Sequence, residues 1–115
     1  MKKISLSEVK PYPAPGHEQT MALRLSAPDV TGAKKFWVGL SYFLPSGGVV
    51  YGGEDLPEEK VYFCLDGEIT IGTKTGDIIL KPMDTLYIGP KEGRSIRNNT
   101  NKPASMLVMA EIVPK

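Results

Sequence analysis

The chain has 115 residues, 41% of them hydrophobic and 23% charged, a mix that suits one folded domain over 1–115 and excludes a disordered chain. Fourteen basic against thirteen acidic residues leave a net charge of +1. There is no basic stripe for nucleic acid, no polybasic or amphipathic anchor for a membrane surface, and no apolar run long enough to span a bilayer.

Met1-Lys2-Lys3-Ile4 is not followed by the apolar core of a signal peptide, because Ser5, Ser7, Glu8 and Lys10 interrupt it; the expectation is a cytoplasmic protein. Residues 1–17 read as an extended N-terminal arm. Within it, Lys10-Pro-Tyr-Pro-Ala-Pro-Gly16 has proline at every second position, and each proline removes a backbone donor and restricts the residue before it. The single histidine, His17, closes the arm.

Short runs rich in β-branched and aromatic residues then follow, separated by turn residues: Met21 to Ala27, Phe36 to Leu44, Val61 to Leu65, Glu68 to Ile71, Asp77 to Leu80, Thr85 to Ile88, Arg94 to Asn98 and Ala104 to Val113. Asp66-Gly67 and Thr75-Gly76 mark two of the turns. About eight strands at this spacing, with no helix between them, predict an all-β sandwich or barrel. Trp37 and Phe43, on the run from Phe36 to Leu44, are assigned to a subunit contact, since large aromatics anchor interfaces. The lone cysteine, Cys64, excludes an intrachain disulfide.

The region 45–98 resembles the two motifs of the cupin superfamily. The first, G-x5-H-x-H-x(3,4)-E-x6-G, is similar to Pro45-Ser-Gly-Gly48, a loop, and then Lys60-Val-Tyr-Phe-Cys-Leu-Asp-Gly67; the second, G-x5-P-x-G-x2-H-x3-N, is similar to the stretch from Met83 through Gly89-Pro90, Gly93-Arg94 and Asn98. The resemblance implies a small double-stranded β-helix, or jelly-roll, barrel and a homodimer. It also implies a metal held by three histidines and a glutamate. Here the window for the first two histidines, Gly53 to Leu56, reads Gly-Glu-Asp-Leu, the glutamate position is Lys60, and the last histidine position is Arg94. Lysine and arginine only donate and carry positive charge, so no metal and no cofactor are expected.

Alternation along a strand puts Lys60, Tyr62 and Cys64 on one face, and Arg94, Ile96 and Asn98 on another. If those faces line the barrel, Arg94, Tyr62, Asn98 and Cys64 are ligand-binding candidates, with Arg94 forking onto a carboxylate. Lys60, Glu54 and His17 are candidates for acid–base catalysis. Each has a plainer role beside it: Lys60 paired with Glu58 or Glu59 at the rim, Arg94 on loop carbonyls or Glu54, Tyr62 and Cys64 as core, Asn98 as a turn holder, His17 as arm packing. Three functions are therefore weighed. The first is a metal-independent cupin binding a small anionic ligand, a carboxylate or sugar acid. The second is a metal-independent isomerase, lyase or decarboxylase, and the third a structural or assembly module without ligand.

Overall fold

The turn residues that separate the apolar runs separate nine strands in the computed structural model, which describes residues 1–113. In chain order they are β1 (Pro11–Tyr12), β2 (His17–Ser26), β3 (Phe36–Gly52), β4 (Lys60–Asp66), β5 (Ile69–Thr73), β6 (Gly76–Leu80), β7 (Thr85–Ile88), β8 (Arg94–Arg97) and β9 (Ala104–Glu111). The pairing runs β6-β5-β8-β3-β9-β4-β7, and β2 pairs with β3 and carries β1 at its edge. These strand pairings, among the described residues, are all antiparallel. The result is a nearly closed jelly-roll barrel, open along the seam between β6 and β7. No helix among the described residues is long and apolar enough to cross a membrane.

The run expected to end at Leu44 continues through Pro45–Gly48 to Gly52 as β3, which runs 17 residues. Its first half pairs with β9, Phe36 opposite Glu111 through Phe43 opposite Ala104. Its second half pairs with β8, Gly48 opposite Arg97 and Val49 opposite Ile96. Ser46 takes a positive φ of 69°, and the chain turns there from one sheet into the other without ending. The glycines permit it sterically: a Cβ on Gly47 would collide with the Gln19 carbonyl, and one on Gly48 with the Ile96 carbonyl.

The inward row of β3 holds Phe43, which is 1% exposed and part of the core with Tyr62, Cys64, Ile69, Ile71 and Met106. Trp37 lies on the same inward row and lines the barrel cavity. This burial removes Phe43 from the expected subunit contact, while Trp37 stays partly covered; the bulky residues of β3 that stay exposed are Phe36, Tyr42, Leu44, Val50 and Tyr51. The strand is apolar on its outer row as well. Register places Leu23, Leu40, Leu107 and Phe63 side by side there, with Val38, Met109 and Val61 in the next row.

Asn98 follows β8 and is fully buried. Its Nδ2 donates to the Phe43 carbonyl at 3.1 Å and the Lys102 carbonyl at 2.7 Å. Its Oδ1 accepts from the Thr100 amide at 3.0 Å and the Thr100 hydroxyl at 2.8 Å. One side chain thus ties β3, the end of β8 and the turn into β9. Asn98→Ala leaves buried main-chain groups without partners, a loss of about 2–3 kcal/mol. Thermal unfolding should show Tm lower by roughly 10 °C; an unchanged Tm would show that the turn holds without this amide.

Candidate functional site

Burial decides where the strand alternation leads. On β4, Lys60 is 8% exposed, Tyr62 1% and Cys64 0%, while Val61 and Phe63 between them are only partly covered. The inner faces of β3, β4, β8 and β9, with the arm folded across, enclose a cavity of about 180 Å³. Lys60, Tyr62 and Arg94 form its polar wall, opposite Trp37 and Ser41.

Arg94 is fixed by two contacts. Its Nε donates to the Tyr62 hydroxyl at 2.7 Å, and its Nη1 donates to the Gly52 carbonyl at 3.4 Å. Its Nη2 has no protein acceptor among the described residues, so part of the guanidinium fork is left for a ligand. The Tyr62 hydroxyl accepts from Arg94 and keeps its own proton to donate. Burial pushes its titration up, against the opposing pull of the Arg94 charge and hydrogen bond. Lys60 titrates below the ordinary lysine range. Burial is the main cause and the Arg94 charge adds to it, while Glu58 works the other way. No carboxylate among the described residues forms an ion pair with Lys60, so the expected rim pairing with Glu58 or Glu59 is replaced by an inward ammonium.

The arm brings His17 and Tyr12 to the same cavity. His17 Nδ1 lies 2.9 Å from the Pro15 carbonyl. A carbonyl only accepts, so Nδ1 carries the proton there and Nε2 is the acceptor of the neutral ring. Glu58 also faces the cavity.

Three candidates lie elsewhere. Glu54 does not share the cavity with Lys60. It forms an ion pair with Lys74 at 2.6 Å, across to the β5–β6 turn, and lines a second cavity. Asn98, proposed as a ligand contact, spends its amide on the turn described above. Cys64 is core: its Sγ donates weakly to the carbonyls of Asp66 at 3.9 Å and Gly67 at 3.6 Å, and burial raises its titration.

The second cavity is a groove of about 340 Å³ at the seam between β6 and β7. Arg94 lines it too, together with Tyr51, Glu54, Tyr87 and Glu92 over an apolar floor. Sequence reasoning missed Tyr51, Tyr87 and Glu92, because they meet only when the two sheet edges come together.

The family's metal was tested against these residues. Lys60 and Arg94 occupy two of its four ligand positions, Glu54 is held by Lys74, and no three His, Cys, Asp or Glu side chains among the described residues gather to hold an ion. A divalent cation does not fit this donor set.

No family model matches the sequence. The chain is 34% identical over 110 residues to a beta-D-galactosidase of Mycobacterium tuberculosis, spanning 94% of this chain and 91% of that protein. Among solved structures, it is similar to the polyketide cyclase RemF from Streptomyces resistomycificus, with a TM-score of 0.84 and 19% identity over 96% of this chain and 79% of that one. It is also similar to a cupin-superfamily sugar phosphate isomerase from Silicibacter pomeroyi, with a TM-score of 0.80 and 20% identity over 98% and 77%. A predicted oxalate decarboxylase from Thermotoga maritima has a TM-score of 0.80 and 18% identity over 97% and 100%. The strand order, the placement of the motif residues and these likenesses agree on a cupin fold, and the chain belongs to one family with the mycobacterial protein.

Proposed function

We propose that the barrel binds a small sugar acid, its carboxylate held by Arg94 and Lys60 and a hydroxyl by Tyr62. The observation that carries this reading is the pair of cations turned inward at positions where metal-binding cupins hold a metal, with no carboxylate among the described residues paired to either. A buried ammonium beside a guanidinium is unfavourable alone and is relieved by an anion placed between them. The sugar part of the reading is supported by the relative named a beta-D-galactosidase.

That name also favours a second reading, hydrolysis of a galactoside. Glycoside hydrolysis ordinarily uses two carboxyl groups flanking the scissile bond. Glu58 is the carboxylate on the interior wall, whereas Glu54 and Glu92 share the groove. Release of nitrophenol from a nitrophenyl β-galactoside decides for this reading if Glu54→Gln or Glu92→Gln stops it; no release removes it.

Under binding, calorimetric titration with D-gluconate and D-galacturonate should show uptake of at least one acid. Arg94→Ala should weaken it by about 2–5 kcal/mol if the contact is desolvated. Arg94→Lys should not restore it, because an ammonium cannot make the forked contact. Equal affinity in all three proteins would remove Arg94 from the site.

Lys60 gives a pH test. Its folded titration lies below its unfolded one, so the unfolded chain binds more protons in the window between them, and stability rises there with pH. Below that window the burial of the charge is a full penalty. Lys60→Met should therefore raise Tm at neutral pH by a few degrees and flatten the rise toward alkaline pH, while weakening binding of the acid. A lower Tm in the variant would mean that the ammonium has a stabilising partner.

A further inference from the structure

We propose that the seam groove is a second subsite, which takes a neutral sugar ring joined to the acid held in the barrel. The proposal rests on the acid-binding reading of the interior cavity. The interior, at about 180 Å³, is smaller than the roughly 300 Å³ at which ligand pockets usually begin. It suits one small sugar acid and leaves no room for a second ring. The groove, at about 340 Å³, is large enough for a ring. Arg94 is a wall of both spaces, so a ligand whose carboxylate reaches the guanidinium from the inner side has its next group at the groove.

The groove's lining fits a sugar ring. Tyr51 and Tyr87 are 42% and 58% exposed and offer ring faces to the C–H surface of a sugar. The Glu54 and Glu92 carboxylates accept from sugar hydroxyls, and Lys74 and Lys91 on the same lining can donate to them. The floor of Ile71, Leu86 and Ile88 is apolar. The rim is held in shape by its own contacts: Glu92 Oε2 accepts from the Gly89 amide at 2.7 Å, and Lys74 holds Glu54. Gly93 keeps this corner open to those two side chains, since a Cβ there would lie 2.5 Å from Glu54 Cγ and 2.7 Å from the Tyr51 hydroxyl.

The test compares D-gluconate with lactobionate, which is gluconate carrying a β-linked neutral galactosyl ring, by calorimetric titration of the whole chain. Lactobionate should bind about tenfold tighter or better, the equivalent of one or two added ring contacts. Tyr87→Ala, at a side chain that is 58% exposed, should remove that advantage and leave gluconate affinity unchanged. Glu92→Gln, which preserves shape, should reduce the advantage in part. Lactobionate binding no tighter than gluconate, or Tyr87→Ala weakening both alike, overturns the subsite while the acid site stands. Failure of both compounds to bind overturns the acid site and the subsite with it.

Discussion

The passage of β3 from one sheet into the other constrains everything around the cavity. A strand that ended at Phe43 would serve only β9 and β2, and the sheet carrying β8 would have no fixed height relative to β4. Because Pro45 to Gly48 continue the strand with a turn in direction, the row containing Gly52 is set against Arg94, and Arg94 in turn meets Tyr62 across the barrel. The two glycines at the crossing are a steric requirement imposed by the neighbouring carbonyls. Close backbone approach is a common reason for glycine inside a strand. The inward cations are thus a consequence of backbone register before they are a matter of charge.

Much of this was legible in the residues, and the failures have specific causes. Runs bounded by Asp-Gly and Gly-Pro turns gave β4 to β8 within a residue or two, because those turns need particular backbone angles that few residues supply. Period-two alternation put Lys60, Tyr62 and Cys64 on one face, and burial agrees. Alternation failed on β3 because both of its faces are apolar, so the parity of Trp37 and Phe43 cannot be told from that of Phe36 and Tyr42 by hydrophobicity alone. It gave nothing for Glu54, which lies off the strands and is drawn away by Lys74, twenty residues on. No local pattern announces that pair. Asn98 was on the expected face, but it had four hydrogen bonds to make with main chain and Thr100, and a fully engaged amide has nothing left for a ligand.

The charge arrangement bears on which activities the barrel suits. In a low-dielectric cavity an unpaired cation is costly, and a second cation nearby makes it more so. A chain that needed only a packed core could replace both with apolar residues of similar size. Retaining an ammonium that burial pushes toward its neutral form, beside a guanidinium that never deprotonates, divides the roles: Arg94 is the permanent charge, and Lys60 is the group whose charge an arriving anion restores. Tyr62 connects them as acceptor for Arg94 and donor to whatever lies in the cavity. In the proposed reading this triad differs from a metal centre in that it holds an anion without activating water, which weighs against oxygen or hydrolytic chemistry centred on it.

Hydrolysis, if it occurs, therefore belongs to the groove, and the groove sets its own conditions. A glycosidase needs one carboxyl group to give a proton to the leaving oxygen and another to activate water or attack the anomeric carbon. Among the described residues Glu54 and Glu92 are the acidic side chains on that lining, and each is already engaged, Glu54 by the Lys74 ammonium and Glu92 by the Gly89 amide. Catalysis would require a substrate to displace both contacts and orient the two groups on opposite sides of one bond. Binding requires neither, since a carboxylate has lone pairs enough to keep its present donor and accept a sugar hydroxyl as well. The same two glutamates can thus recognise a galactosyl ring as they stand but can cleave it only after rearranging, and this difference is why the binding reading comes first.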